Sequence, residues 1–361
     1  MKKLIVPSNN LKVALAKVGQ AINPKMFLPV LRNIYCRVTP NQLEMIGSNT
    51  EITIFYKLEC EANEEFEFLV PFEFLSKIIA ITPGIIPIEI EVGKQVKIKG
   101  MTDVYEIKTS EKIKDLPKLP EVSKDNSFSI LGDVIYNINQ AVSTTGKGDT
   151  KPQLAHVLME LAPCKITIAS SDGAYMVFSK EFEYPEQNQV AELLLSQKVI
   201  KVLHGSNKVD VFFNEKFIGF EDGDITIINV RSEEKFVNFR RVFPDQWPSN
   251  LTINRMNLVQ VLEKCSLSTD QLHTTKIDLE SKEEAKFNAE DEMVNINVSI
   301  SYEYSGTVKQ VSINAEKMLR LLNQISADDI QLAIHDSKRA IVITSEDEPG
   351  YKGMIMPIAT N

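Results

Sequence analysis

Long apolar runs are missing from this 361-residue chain: stretches such as 78–81 and 199–203 fall far short of the roughly 18 residues that a membrane-spanning helix needs. No such helix is expected. Lys2 and Lys3 open like the charged start of a secretory leader, but Pro7-Ser8-Asn9-Asn10 interrupts the apolar segment before a leader core could form. The expected location is therefore the cytoplasm. Cysteine is scarce, with Cys36, Cys60, Cys164 and Cys265 the only four and no CxxC spacing among them. This excludes a disulfide framework or a zinc knuckle and reads as free, buried thiols in a reducing compartment. The four histidines, His156, His204, His273 and His335, lack HxH or HxxxH spacing, and no glycine-rich phosphate loop is present. Neither metal nor cofactor is expected. Positive charge is also in deficit: 40 Lys plus Arg face 49 Asp plus Glu, a net charge of -9. Tight nonspecific binding of nucleic acid over the whole surface is excluded, so any DNA contact must be local.

With 43% hydrophobic and 25% charged residues the composition is that of an ordinary globular protein, and the length predicts two or three domains. An internal repeat decides for three. Amphipathic helices are expected at 10–21 (Leu11, Ala14, Leu15, Val18), 131–142 (Val134, Ile135, Ile138, Val142) and 255–266 (Leu258, Val261, Leu262, Cys265), with starts roughly 120 residues apart. A second helix follows in each copy, at 72–81 (Phe74, Leu75, Ile78), 195–204 (Val199, Ile200, Leu203) and 315–324 (Met318, Leu319, Leu322). Alternating strand pairs come next, at 87–92 with 95–99, 209–213 with 217–220, and 330–334 with 340–344. Further alternating runs lie between the helices of each copy. The fold class is thus α+β, three similar domains at 1–122, 123–249 and 250–361, each with two helices and antiparallel sheets. Proline-punctuated linkers at 116–121 and 242–250 support those boundaries.

Charge is unevenly placed. The six helical windows hold Lys12, Lys17, Lys77, Lys198, Lys201, Arg255, Lys264, Lys317 and Arg320 against Glu73, Asp133, Glu263 and Glu316. An acidic chain that gathers cations on equivalent helices can offer one positive face to phosphate. From these, with Lys25, the candidate DNA-facing set is Lys12, Lys17, Lys25, Lys77, Lys198, Lys201, Lys317 and Arg320. The alternative is a set of solvated surface helices.

Four ordered motifs add specificity. They are Leu28-Pro29-Val30-Leu31-Arg32-Asn33-Ile34; Ile168-Ala169-Ser170-Ser171-Asp172-Gly173; Phe236-Val237-Asn238-Phe239-Arg240-Arg241-Val242-Phe243-Pro244; and Met354-Ile355-Met356-Pro357-Ile358. On a threefold repeat, these resemble the bacterial sliding clamp family, the beta subunit of the replicative DNA polymerase, over the whole chain. The resemblance implies a homodimeric ring of six similar domains that encircles duplex DNA without reading sequence and tethers the polymerase as a processivity factor. It also implies a cleft for short peptides of DNA polymerase, clamp loader and repair proteins. The matching residues are Leu154, Ser171, Gly173, Tyr175, Met176, Val237, Arg241, Val242, Met354, Met356, Pro357 and Ile358. Tyr105, Ile107 and Leu267 match positions at the dimer interface. No membrane partner is implied.

This chain departs from the family pattern at Ala174-Tyr175-Met176, where the family has His-Arg-Leu, and at Ala359-Thr360-Asn361, where it has a terminal Arg. Two cations are lost and one aromatic is gained, which leaves open a divergent clamp-fold scaffold with altered partners. An enzyme, such as a hydrolase, is disfavoured. Asp222-Gly223-Asp224 lies between alternating runs and reads as a hairpin turn rather than a pair of metal-binding carboxylates.

Overall fold

The computed structural model describes residues 2–84, 87–121, 123–124, 126–147, 151–243, 248–268, 272–281 and 283–359. Val122 at the first expected boundary, residues 244–247 with Pro244 of the third motif, and Thr360 and Asn361 lie outside the described residues.

Among the described residues one local unit recurs six times: a strand runs directly into a helix. The pairs are Lys2–Pro7 with α1 (Ser8–Val18), Phe66–Pro71 with α2 (Phe72–Ile81), and Ser127–Leu131 with α3 (Gly132–Ala141). Then follow Ala191–Ser196 with α4 (Gln197–Leu203), Ser249–Asn254 with α5 (Arg255–Cys265), and Gln310–Asn314 with α6 (Ala315–Leu322). The junction chemistry differs along the chain. Pro7 and Pro71 precede α1 and α2, where a missing N–H costs nothing. Asn254 and Asn314 cap α5 and α6, each accepting through Oδ1 from the N–H three residues on, at 3.1 and 2.8 Å.

Two compact units result: Met1–Gly132 with Lys198–Arg231, and Asp133–Gln197 with Ser232–Asn361. They cut across the sequence repeat, because the middle third contributes one part to each. In the first unit, an eight-stranded antiparallel sheet runs Ser127–Leu131, Lys208–Phe213, Phe217–Asp222, Ile225–Val230, Ile52–Glu59, Gln42–Ser48, Asn33–Thr39, Phe66–Pro71. A five-stranded sheet accompanies it in the order Glu61–Ala62, Lys2–Pro7, Pro87–Val92, Val96–Lys99, Val104–Ile107. The second unit has a nine-stranded sheet, Ala191–Ser196, His156–Ala162, Lys165–Ser171, Met176–Glu183, Tyr351–Ile355, Ile341–Thr344, Asp329–Ile334, Ser249–Asn254, Glu303–Ser305. Its companion has four strands, Asn295–Ser301, Glu284–Glu290, Thr274–Asp278, Gln310–Asn314. The turn at 222–225 closes the hairpin expected there, with Gly223 at φ 56°.

Helix faces pack as the periodicity expects in α1, where Leu11, Ala14, Leu15 and Val18 are buried, and in α5. Helix α2 differs: it buries Leu75 and Ile79, while Phe74 is 55% exposed. Seven apolar residues in ten give that segment no single stripe, so spacing cannot choose its inner face. The window at 195–204 also began early, since Leu195 is the buried end of a strand and the helix starts at Gln197. Among the cysteines, Cys36, Cys60 and Cys265 are buried and free, with burial pushing the Cys60 thiol up to about 11. Cys164 is exposed, against expectation. It occupies the turn between two paired strands with φ 58°, a conformation set by the turn and not by apolar packing.

Candidate functional site

Most of the residues expected in a peptide cleft come together around one hairpin corner of the second unit. The strand Lys165–Ser171 must reverse into Met176–Glu183, and Gly173 does this at φ 81°. A methyl group at this position would collide with Leu154 Cδ1, so backbone freedom and close approach both require glycine. Asp172 Oδ1 accepts from the N–H groups of Ala174, Tyr175 and Met176 at 3.1, 2.7 and 2.8 Å. Ser171 Oγ donates to the Met176 carbonyl at 2.9 Å and accepts from the Gly173 N–H at 3.0 Å. These hydrogen bonds close the corner.

The C-terminal segment joins it. Met354 pairs with Val177 in the sheet, and the Met356 N–H donates to the Tyr175 carbonyl at 2.9 Å. Beyond it, the Ile358 N–H donates to the Ser312 carbonyl at 2.7 Å. Leu154, Met176 and Met354 are buried, whereas Met356, Pro357 and Ile358 are half-buried and Tyr175 is 49% exposed. Residues 236–243 add a wall through a short helical turn, Phe239–Val242. Phe239 belongs to a core with Leu158, Val177, Val342 and Met354, against which Phe236, Phe243 and Met356 pack. Val237 is half-buried and Val242 and Arg241 are exposed. Arg240, not singled out from the sequence, forms a two-pronged pair with Glu160 that fixes this wall.

Lys317, a member of the expected DNA-facing set, is brought to this corner: its Nζ donates to Asp172 Oδ2 at 3.0 Å and lies 3.7 Å from the Tyr175 ring centroid. A cation from α6 thus stands beside the position where the family pattern has an arginine. Partial burial by itself would raise the Asp172 carboxyl. The N–H groups of Tyr175 and Met176, the Lys317 ammonium and the Ala174 N–H outweigh it and hold the carboxyl below the usual range. Nothing local in the sequence signals this contact, because the partners are 145 positions apart.

The other cations fall into three groups. Lys12 Nζ donates to the Thr82 carbonyl just past α2 at 2.6 Å, and Lys17 Nζ to the Val202 carbonyl in the last turn of α4 at 2.5 Å. Both cations sit at helix C-termini, where the dipole favours them. Lys77 pairs with Glu73 one turn away at 2.6 Å, and Arg320 lies 4.0 Å from Glu316. Lys25, Lys198 and Lys201 are exposed.

Of the expected interface residues, Tyr105 and Ile107 lie on Val104–Ile107, an edge strand of the five-stranded sheet. Ile107 is only 6% exposed, while Val104 on the same strand is 59% exposed. Leu267, just after α5, is 69% exposed. A second edge is Asn295–Ser301, one of the alternating runs expected between the helices of the third copy but not among the residues expected at the interface. Its alternating half-buried and exposed residues are what one-sided packing leaves on an edge.

Strand–helix units repeated on antiparallel sheets define a chain of the DNA-clamp fold class. Residues 2–120 match the family described as DNA polymerase III beta subunit, N-terminal domain, and residues 240–359 match the C-terminal domain of the same subunit. The chain belongs to the DNA polymerase III beta subunit family. A beta sliding clamp of Staphylococcus epidermidis is 24% identical over 362 aligned positions, covering 94% of this chain and 95% of the relative. The sliding clamp of Bacillus subtilis and a putative DNA polymerase III beta subunit of Eubacterium rectale each superpose with a TM-score of 0.92 over 100% of both chains, at 16% identity. A Pseudomonas aeruginosa sliding clamp bound to griselimycin gives 0.91 at 18% identity, over 99% of this chain and 100% of its own. By family this is a non-catalytic processivity factor of DNA replication. Among the described residues, no helix is long and apolar enough to cross a membrane.

Proposed function

We propose that two copies of this chain close head to tail into a ring around duplex DNA, slide along it in the cytoplasm, and hold DNA polymerase, clamp loader and repair proteins by short peptides. In this reading, residues 1–122, 123–249 and 250–361 are the three clamp domains. Family membership at both ends of the chain, taken with the Asp172–Gly173 corner beside the Met356 strand end, carries the reading. The cleft offers apolar side chains that adapt in shape, Met176, Met354 and Met356, beside an exposed ring at Tyr175. That combination suits Leu or Phe anchors on an extended peptide. Lys25, Lys198 and Lys201 supply exposed cations, which favour weak, salt-sensitive attraction to the phosphate backbone over sequence reading.

Ring closure is assigned to the two sheet edges, Val104–Ile107 of one copy and Asn295–Ser301 of the other. An edge strand presents unpaired backbone groups that another chain can complete. Val104 and Leu267 give this junction exposed apolar surface, and Tyr105 gives it a half-buried ring. Retention on DNA tests the proposal. Loaded protein should stay on closed circular DNA and run off after a single cut; equal release from both forms would refute encirclement. Sedimentation should give a dimer at micromolar concentration, weakened when Val104 and Tyr105 are both changed to Ala.

A further inference from the structure

We propose that Lys317 is a positioning residue of the peptide cleft: it holds the Tyr175 ring and the Asp172 carboxylate as one preformed wall that selects an uncharged aromatic or branched side chain of the bound peptide. The inference rests on reading this corner as the peptide site. An exposed tyrosine on a turn ordinarily samples several orientations, and fixing it on binding costs affinity. Here the ring is already engaged, with the Lys317 ammonium 3.7 Å from its centroid.

Lys317 is itself held at both ends. Its backbone N–H is bonded to the capping Asn314 Oδ1 at 2.8 Å, and its Nζ to Asp172 Oδ2 at 3.0 Å. The lysine and aspartate side chains of that pair are 23% and 15% exposed, so solvent screens them only partly. Asp172 cannot swing to follow another partner, because its other oxygen holds three successive N–H groups of the turn. The last of the connected groups is the Tyr175 carbonyl, which receives the Met356 N–H. Cap, lysine, carboxylate, turn and ring are thus joined by short contacts across 145 positions of sequence.

Two consequences follow for the ligand. With one ring face covered by the ammonium, Tyr175 has one face left for an incoming side chain. The positive charge is matched by Asp172, so a peptide carboxylate finds no uncompensated cation at this wall. An apolar anchor fits the site better than an acidic one.

The test is a double-mutant cycle on peptide affinity, using a peptide with Leu and Phe anchors and a second with the Phe changed to Ala. Lys317→Met should weaken the Phe peptide roughly three- to tenfold, the range expected for a partly desolvated cation–ring contact. Lys317→Arg should restore it. In a Tyr175→Ala background, Lys317→Met should change affinity less than about twofold, since the group it positions is gone. Equal weakening with and without the ring, or no weakening at all, would overturn the positioning role. Met356→Ala reports separately on the cleft. If it leaves both peptides unaffected, or if wild type binds neither, the site itself is wrong and this inference falls with it.

Discussion

The corner at 171–176 has a counterpart at 48–52 in the other unit, and the two share their backbone plan. Asn49 Oδ1 accepts from the N–H groups of Glu51 and Ile52 at 3.0 and 2.9 Å, as Asp172 does for its own turn. Thr50 adopts φ 74°, close to the 81° of Gly173. The Val230 N–H donates to the Glu51 carbonyl at 2.8 Å, matching Met356 and Tyr175. Each corner also has a leucine from a short helical turn nearby, Leu31 in Pro29–Arg32 and Leu154 in Pro152–Ala155. The chemistry is where they part. The first corner has a neutral amide, a β-branched residue in an unfavourable conformation, and a cavity of about 210 Å³ walled partly by linker residues Leu116 to Pro120. At the second are a carboxylate, a glycine, and a lysine brought from a distant helix. The repeat supplies the turn; side-chain substitution makes one copy into a candidate binding site.

The sharpest way to break this comparison is at the residue with positive φ. Gly173→Ala should cost about 1–3 kcal/mol of stability, through strain and collision with Leu154, and should weaken peptide binding. Thr50→Gly should change stability by less than about 1 kcal/mol, because relief of strain and added freedom of the unfolded chain oppose each other. Denaturant midpoints of both variants decide; equal losses would erase the distinction.

Next in size is the acceptor itself. Asp172→Ala should cost about 1–3 kcal/mol near neutral pH, and Asn49→Ala about 1 kcal/mol. Only the first should depend on pH. The folded Asp172 carboxyl lies below its usual value, so its contribution is complete above the unfolded value of about 4 and is lost as pH falls through the folded value. Melting temperatures of wild type and Asp172→Ala should therefore converge in acid. A gap that persisted there would mean the loss is not electrostatic.

The helix starts offer a smaller contrast. Asn254→Ala should cost about 1 kcal/mol, while Pro7→Ala, where no side-chain cap exists, should cost less in thermal unfolding. Smallest is the division among cations. Lys12→Met or Lys17→Met should lower stability by about 0.3–1 kcal/mol, since each loses a helix-terminal carbonyl. Lys198→Met with Lys201→Met should leave unfolding unchanged and shorten residence on circular DNA; the reverse pattern would exchange the two roles.

Much of this was legible in advance where one period dominates. The strand pairs after each second helix agree with their spacing because apolar and polar residues alternate there, whereas helix 72–81 has the expected bounds but not the expected inner face. The boundary at 195–197 was not, since Leu193, Leu194 and Leu195 of a strand run almost straight into Val199 and Ile200 of a helix, all buried. Cleft residues such as Leu154, Gly173 and Met356 came from resemblance to a family, and their mutual contacts came from the fold. Lys317 shows the limit. Its helical spacing and charge fit a solvated face, and only the folding of α6 beside the Asp172 turn brings ammonium and ring together.

The interleaving of the two units has a further consequence, for the order in which the chain can fold as it is made. Strand Ser127–Leu131 pairs with Lys208–Phe213, so the eight-stranded sheet waits for some eighty later residues. The nine-stranded sheet waits longer, because Tyr351–Ile355 fills an interior place between Met176–Glu183 and Ile341–Thr344. At roughly 5–20 residues per second of synthesis, strand Met176–Glu183 stands without that neighbour for on the order of ten seconds or more. During that time the growing polypeptide leaves the N–H and C=O groups along that strand border unpaired, the kind of edge at which two nascent chains can pair wrongly.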